Sequence, residues 1–229
     1  MRVRMRFTKE GALKFIGHLD TMRYFQKLMR RANIPIAYSA GMSPHQIMSF
    51  ALPLGIGDES TGEYADIELT ESVKSTDALM ALQNAGIDEI RILSFKELPD
   101  HAKNAMSSVE AADYTVSFDS LPCDDLKASF TAFMSQSEIM IVKRTKKSER
   151  LLDIKPFIFS YDVNDSSLQL RLKCGSVDNT KPELVLEAFY LYLQQEFDPL
   201  DLKIKRLDLL TGEEGAFVSL DDIGTEIGI

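Results

Sequence analysis

The predicted fold starts from two adjacent stretches of sequence, RVRMRFT at residues 2–8 and GHLDTMRYFQKLMRRAN at residues 17–33. The first stretch alternates polar and apolar residues, which is typical of a strand with one buried face. The second stretch repeats apolar residues at steps of three and four, which predicts a helix that buries one side. Together they open a unit in which a strand leads directly into an amphipathic helix.

The rest of the first hundred residues predicts the order β-α-β-β-α-β. Further strands are expected at 46–54, 62–70 and 88–97, with a helix at 75–86. This order is that of the split βαβ, or ferredoxin-like, arrangement, in which two helices cover one face of an antiparallel sheet. We expect Asp66 and Glu68 to face outward from that sheet. The side chains expected in the core are Phe7, Phe25, Leu28, Phe50 and Leu52.

The same order of elements repeats more loosely after residue 111. The expected strands are 113–119, 139–146, a hairpin of 155–163 with 168–174, and 203–210, with helices at 124–136 and 182–196. The sequence thus predicts an α+β protein of two tandem ferredoxin-like (split βαβ) halves with antiparallel sheets. The expected divisions are a first domain at 1–98, a linker at 99–111, a second domain with an extra strand at 112–211, and a weakly ordered acidic tail at 212–229.

Composition excludes several classes of protein. The chain has 229 residues, of which 45% are hydrophobic and 27% charged, as in ordinary globular proteins. It has no apolar run of about 18 residues that would span a membrane, and its first residues lack the apolar core of a signal peptide. Its two cysteines, Cys123 and Cys174, have no close partner in the sequence, so neither a disulfide scaffold nor a cysteine metal cluster is indicated. We expect a cytoplasmic protein with no membrane association.

Positive charge is concentrated in two places of an acidic chain. The net charge is −9, yet residues 1–50 hold nine basic residues against two acidic ones. Four basic side chains of the predicted first helix share one arc away from its apolar face, and a second basic run lies at 143–150. Such patches can hold phosphate locally, while the alternative is that they are solvated faces balanced by acidic neighbours. The predicted nucleic-acid-binding residues are Arg23, Lys27, Arg30, Arg31, Lys143, Arg144, Lys146 and Lys147.

Two histidines are the candidates for catalysis. His18 stands at the start of the predicted first helix, and His45 follows Gly41 and Pro44 in an irregular loop. Because histidine titrates near neutrality, either one can serve as a general base, and the alternative is that it caps a loop or a helix end. Neither has a metal-binding spacing, so no metal site is expected.

The loop with His45 is predicted to bind a ligand. Gly41, Pro44 and His45 form this ligand loop, because a backbone without a side chain lets a phosphate approach closely. We expect one concave site for an anionic ligand, RNA above all, in which His45 supplies a hydrogen bond or a stacking face. The residues expected around it are His18, His45, Arg23, Lys27, Arg30 and Arg31.

Motifs for common cofactors are missing from the sequence. It contains no GxGxxG, no phosphate-binding P-loop and no GxSxG elbow. Two cysteines are too few to hold a radical-generating iron–sulfur cluster. We therefore expect no cofactor, and the residues favour a binding protein over an enzyme.

Several short motifs carry a resemblance to a known family. They are KFIGHLD at 14–20, RRA at 30–32, YSAGMSPH at 38–45, SFALPLG at 49–55, GEYAD at 62–66 and DIKP at 153–156. Through them the chain resembles the uncharacterised radical-SAM-linked protein family. It departs from the family at 41–46, which reads GMSPHQ where the family usually has a Phe-Asn pair before the Pro-His and a Pro after it.

The resemblance implies a context for the protein. Members of that family occur beside, or fused to the C-terminus of, a radical SAM enzyme, often near genes for an E/G-type ribonuclease and ribosomal proteins. This implies an accessory substrate- or RNA-binding protein that works with a radical SAM enzyme, a separate chain, in the modification of RNA, tRNA or the ribosome. Two alternatives stay open. One is a protein-interaction module that docks the radical SAM partner without nucleic acid. The other is a metal-independent endoribonuclease-like protein, since paired ferredoxin-like domains are similar to the RNA-processing ribonucleases of CRISPR systems.

Overall fold

The protein is a mixed α+β protein with a mostly antiparallel sheet. The computed structural model describes residues 1–144, 149–175 and 179–228. The chain divides into two compact units, Met1–Glu110 with Arg206–Ile229, and Ala111–Lys205. The predicted α+β class with antiparallel strands is confirmed. Among the described helices, none combines the length and the apolar character needed to cross a membrane.

The first unit follows the predicted order of strands and helices. The elements of this unit are β1 (Arg2–Lys9), α1 (His18–Arg31), β2 (Met48–Phe50), β3 (Glu59–Glu68), α2 (Ser75–Ala85), β4 (Ile92–Glu97), α3 (Ala105–Ser108), β10 (Leu202–Thr211, from Arg206 onward), β11 (Val218–Ser219) and β12 (Thr225–Glu226). Its strand order is β12, β4, β1, β3 and then β10, and β2 also pairs with β3. The pairings of β1 with β3 and β4, and of β2 with β3, are antiparallel.

The core of the first unit forms where the apolar sides of β1 and α1 meet. Phe25 is fully buried, with its ring centroid 4.6 Å from that of Phe7 and 5.4 Å from that of Phe50. Four of the five predicted core side chains, including Leu28, are buried, which confirms the helical phase read from the sequence. The fifth, Leu52, is only half-buried because it lies beyond the end of β2.

Strand β2 is much shorter than the predicted strand at 46–54. Its pairing with β3 covers three residues, and the last backbone bond along this edge runs from the Ala51 N–H to the Tyr64 carbonyl. Pro53 follows two residues later and has no N–H to donate, so the pairing cannot continue.

Two segments that the sequence assigns outside the domains pack on the first unit. The predicted linker contains α3, whose first residue, Ala105, donates its N–H to Asp66 Oδ2 at 2.7 Å. The predicted weakly ordered tail returns to β4, where Asp221 Oδ2 lies 2.6 Å from Lys96 Nζ and Ile227 is buried. The acidic tail is therefore held by a cation on a strand and by two buried apolar side chains, Leu220 and Ile227.

In the second unit, strands β5 (Ala111–Phe118), β9 (Ser167–Lys173) and β8 (Ile158–Val163) lie side by side in that order. Strands β6 (Met140–Arg144) and β7 (Glu149–Asp153) form a separate two-stranded sheet. The sequence predicts one extra strand in this half, and the structure adds a further strand, β7, which pairs with β6. Helices α4 and α5 bury Phe130, Phe133 and Phe189 against one another. The elements are β5 (Ala111–Phe118), α4 (Leu126–Met134), β6 (Met140–Arg144), β7 (Glu149–Asp153), β8 (Ile158–Val163), β9 (Ser167–Lys173) and α5 (Pro182–Tyr192).

Candidate functional site

Helix α1 presents a basic face to solvent. Its buried side chains include Phe25, Leu28 and Met29, and these fix the orientation of the helix on the sheet. The four basic residues predicted to bind nucleic acid from this helix, namely Arg23, Lys27, Arg30 and Arg31, are all exposed. We call these four residues the α1 basic face.

Internal contacts leave most of this charge available. Arg23 Nη1 lies 3.1 Å from Asp20 Oδ1, and both side chains are more than 60% exposed, so this pair is screened by solvent. The Arg31 guanidinium stands over the Tyr24 ring at 6.0 Å. Within the described ranges, Lys27 and Arg30 form no ion pair. The alternative that acidic neighbours balance the whole face is therefore not what the structure shows.

The second basic run is only partly described. Lys143 and Arg144 lie at the end of β6, where they pair in register with Arg150 and Glu149 of β7. Lys146 and Lys147 lie outside the described residues.

The predicted ligand loop is closed at its base and fixed against α1. Ser39 Oγ lies 2.8 Å from His45 Nδ1, and the Ser39 N–H donates to the His45 carbonyl at 2.8 Å. Gly41, at the exposed tip, has φ of 118°, a conformation that side chains rarely adopt. Below the tip, Gln46 Nε2 contacts both the Gln26 carbonyl of α1 and the Tyr38 hydroxyl at 3.3 Å. These contacts hold the exposed Tyr38 ring beside the helix that carries the α1 basic face.

His45 borders a cavity of about 630 Å³ in the first unit. Its floor is the sheet face turned away from α1. Arg2 is paired with Glu68, and Ser49 with Asp66, and side chains paired across neighbouring strands lie on the same face of the sheet. Its walls are the ligand loop on one side and residues 102 and 104 on the other. We call this space the His45 cavity. Its lining consists of Arg2, Ser39, His45, Gln46, Ile47, Met48, Ser49, Asp66, Ile67, Glu68, Ala102 and Asn104.

Asp66 corrects one prediction from the sequence. Glu68 is exposed as expected, but Asp66 is only 6% exposed. Its carboxylate accepts two bonds from the Arg4 guanidinium, at 2.8 and 3.0 Å, and a third from the Ala105 N–H. The prediction that Asp66 faces solvent is wrong because α3 and residues 220–223 cover this part of the sheet, where Arg4 also contacts the Leu220 carbonyl.

His18 lies in a different place from His45. It lines a small pocket of about 20 Å³ and stacks edge-on against Phe50, with ring centroids 5.5 Å apart. The His45 cavity is lined neither by His18 nor by the α1 basic face. The expectation of one concave site bordered by both histidines and all four basic side chains is therefore not met, since the His45 cavity lies on the sheet face turned away from α1.

The pocket beside His18 contains charges that the sequence analysis missed. Arg206 and Glu63 form a buried ion pair at 2.6 Å. Lys9, 4% exposed, donates from Nζ to the Ile16 carbonyl at 2.8 Å, and burial lowers the pKa of this lysine. No local sequence pattern identifies Lys9, Glu63 and Arg206 as neighbours, because Arg206 is far from the other two along the chain.

The residues of the His45 cavity could be found only in part from the sequence. Alternation along a strand places Asp66 and Glu68 on one face, and it does so for Ser49 once the register of β2 is known. Asn104 gives no such signal, because it stands in a segment without periodicity that the fold brings onto the sheet. A search of the described residues finds no group of three His, Cys, Asp or Glu side chains that could hold a metal ion.

Comparisons with known proteins give one family. The family model described as "Uncharacterized protein conserved in bacteria (DUF2344)" matches residues 2–182. No curated protein matches the sequence significantly. Among solved structures, a chain of "Crystal Structure of a Cbf5-Nop10-Gar1 Complex" is similar with a TM-score of 0.48 and 9% sequence identity. The match covers 90% of this chain and 48% of that chain, so this chain spans about half the length of the solved one.

Proposed function

The chain belongs to this DUF2344 family of uncharacterised proteins conserved in bacteria, and we propose that it is a cytoplasmic RNA-binding accessory protein. Its ligand is single-stranded or loop RNA, such as that of tRNA, and its phosphates lie on the α1 basic face. The observation that carries this proposal is the exposed charge of Lys27 and Arg30 in a protein whose net charge is −9.

The positive charge of the α1 basic face favours RNA binding more than the net negative charge of the protein opposes it. At physiological ionic strength the Debye length is about 8 Å, so distant acidic residues are screened while adjacent cations act together on a phosphate. Side chains on one helix face stand about 5–6 Å apart at steps of three or four residues, close to the spacing of phosphates along a strand.

An aromatic side chain accompanies the charge. Tyr38 is 51% exposed and is held beside α1 through Gln46. Unpaired RNA bases stack on such rings, and the combination of a basic groove or face with an aromatic platform is the common mode of single-strand binding. A protein-docking face has no need of this combination, which is why RNA is favoured over the protein-interaction alternative.

The proposal includes a radical SAM enzyme as the partner, on the strength of the family resemblance read from the sequence. In this role the chain holds RNA and the enzyme performs the chemistry. Mixing the chain with a radical SAM enzyme of the same organism, with and without tRNA, tests this part by size-exclusion chromatography. Co-elution supports the partnership, and separate elution under both conditions contradicts it.

We further infer that the two units are ferredoxin-like halves. In the first unit the order β4, β1, β3, β2, with α1 and α2 in the two crossovers, is what this arrangement requires. In the second unit β5, β9 and β8 are antiparallel neighbours, and the paired strands β6 and β7 are then an insertion. A crystal structure with a parallel, doubly wound sheet would overturn this inference.

RNA binding is tested by filter binding of bulk tRNA with a charge-reversed variant. Lys27→Glu with Arg30→Glu should weaken binding at least tenfold, because two phosphate contacts become repulsive. The matched control is Lys127→Glu with Lys181→Glu, two exposed lysines of the second unit that change the net charge equally. Equal losses in both variants, or no binding by the unchanged protein, would contradict the proposal.

A further inference from the structure

The His45 cavity has the size and the chemistry of a site for one nucleobase. Its volume of about 630 Å³ lies in the range of small-molecule sites, which is about 300–1,000 Å³. We propose that this cavity takes a single unstacked base from the bound RNA, one with an amino group beside an unprotonated ring nitrogen on its Watson–Crick edge, which is cytosine or adenine. This inference deepens the proposed function and rests on it only for the delivery of the base.

The Glu68 side chain supplies the acceptor for an amino group. It lies on the cavity floor, it is exposed, and among the described residues it forms no ion pair and accepts no side-chain hydrogen bond. An ionised carboxylate can only accept hydrogen bonds, so it binds the amino group of cytosine or adenine and repels the O4 carbonyl of uracil.

Asp66, the other acid of the floor, is not free to do this. Its oxygens already accept three bonds, from Arg4 and from the Ala105 N–H. The cavity therefore offers one available carboxylate, which is what recognition of a single amino group needs.

Donors stand around that acceptor. Ser49 is paired with Asp66, which stands two residues before Glu68 on β3. In the described part of the chain the Ser49 hydroxyl has no side-chain partner. Asn104 Oδ1 accepts a hydrogen bond from the Ser107 N–H. The side-chain NH2 group of Asn104 points away from this bond and is available as a donor. A ring nitrogen or the O2 carbonyl of cytosine is the complement of these donors.

His45 and Arg2 complete the site. The hydrogen bond between Ser39 Oγ and His45 Nδ1 fixes the imidazole ring, whose flat side is a surface on which a base can stack. Arg2 donates Nη1 to the Ala102 carbonyl at 2.7 Å, and its other N–H groups can serve a ribose or phosphate oxygen at the rim. His45 also belongs to the loop that carries Tyr38, so one RNA strand can contact α1 and enter the cavity.

Titration with cytidine 5′-monophosphate and uridine 5′-monophosphate tests the inference apart from RNA binding. These two nucleotides differ at the base positions that face Glu68, so their affinity ratio isolates this recognition. By calorimetry up to about 10 mM nucleotide, which detects a Kd near 1 mM, the cytidine nucleotide should bind at least tenfold more tightly. No binding of either nucleotide, or equal affinity for both, would overturn the inference.

Variants assign the preference to the cavity. Glu68→Gln should bring the two affinities within about twofold, because an amide can also donate to the uracil carbonyl. Glu71→Gln, an exposed acid on the same stretch of chain, should keep the preference. Ser49→Leu should remove binding of the cytidine nucleotide, because it takes away a donor and puts an apolar side chain into the cavity. A preference that survives both Glu68→Gln and Ser49→Leu would overturn the inference.

The two proposals fail separately. If Lys27→Glu with Arg30→Glu does not weaken tRNA binding but the cytidine preference is present, the proposed function is wrong and the base site stands. If that variant loses tRNA but neither mononucleotide binds, the base site is wrong and RNA binding stands.

Discussion

Two groups of basic residues in the first unit have opposite surroundings, although both are simply positive charges in the sequence. Arg4 and Arg206 are 1% and 2% exposed, and each holds a buried carboxylate in a two-pronged ion pair. Lys27 and Arg30 stand on the outer side of α1 and are exposed to solvent. The comparison shows that Arg4 and Arg206 hold the sheet together, whereas Lys27 and Arg30 are placed to reach a ligand.

Strand β1 makes this distinction clear. Its three arginines lie on the sheet face away from the helical core, where a half-exposed sheet would put them in water. Instead, Arg4 pairs with Asp66, and Arg6 donates to the Thr61 and Leu207 carbonyls. Arg4 and Arg6 are therefore structural, and the basic residues left for a ligand are those of α1 and Arg2 at the rim of the His45 cavity.

The largest effect is expected from breaking a buried pair. Arg4→Met should lower the free energy of unfolding by about 3–5 kcal/mol, because it leaves the Asp66 carboxylate buried without its counter-ion. Adding Asp66→Asn, which removes that charge but can still accept the Ala105 N–H, should restore most of the loss. Urea denaturation measures both variants. A loss below about 1 kcal/mol for the single variant would mean that the pair is solvated.

The inner side of α1 should be nearly as sensitive. Phe25→Ala should cost about 3–5 kcal/mol, because it opens a cavity among three aromatic neighbours. The control is Leu19→Ala on the same helix, at a position 60% exposed, which should change stability by less than about 0.5 kcal/mol. Similar values for the two variants in urea titration would show that the helix is packed in another phase.

A smaller effect is expected from pH. Tyr64, 1% exposed, donates its hydroxyl to Asp208 at 2.5 Å, and burial and that carboxylate raise the pKa of the tyrosine well above 10.0. Above pH 10 the unfolded chain loses this proton while the folded chain keeps it. The free energy of unfolding therefore falls as pH rises, by at most about 1.4 kcal/mol per pH unit for this group.

Tyr64→Phe isolates that contribution. Urea titrations from pH 8 to pH 11 should show a shallower decline above pH 10 for the variant than for the unchanged protein. Tyr24 and Tyr190, whose pKa values burial also raises, are the same in both proteins and cancel in the difference. Parallel declines would show that the Tyr64 hydroxyl ionises as readily in the folded protein as in the unfolded chain.

The fold could be predicted from the sequence where its signals are local. The alternation in β1 and the helical period of α1 lie in adjacent stretches, and the structure confirms both with Phe7, Phe25 and Leu28 in the core. Periodicity works here because each pattern reports which side of one element is buried. It was less useful for β2, where Pro53 ends the pairing earlier than the apolar run suggests.

The site could not be predicted in the same way, because its parts are distant in sequence. Arg4 and Asp66 are 62 residues apart, and their pairing depends on the register of two strands. The segment after residue 211 covers the sheet face that carries Arg4 and Asp66, and Asn104 belongs to the segment that the sequence predicts as a linker. The sequence did identify His45 and the α1 basic face as candidates, but their placement in separate sites needed the fold.

The salt dependence of RNA binding tests most directly the claim that the α1 basic face carries the available charge. Filter binding of single-stranded RNA over a series of salt concentrations gives a slope of log K against log [salt], to which each phosphate contact contributes about 0.7. Lys27→Ala with Arg30→Ala should reduce that slope by about 1.4 and change the free energy of unfolding by no more than about 1 kcal/mol. A slope equal to that of the unchanged protein would contradict the account.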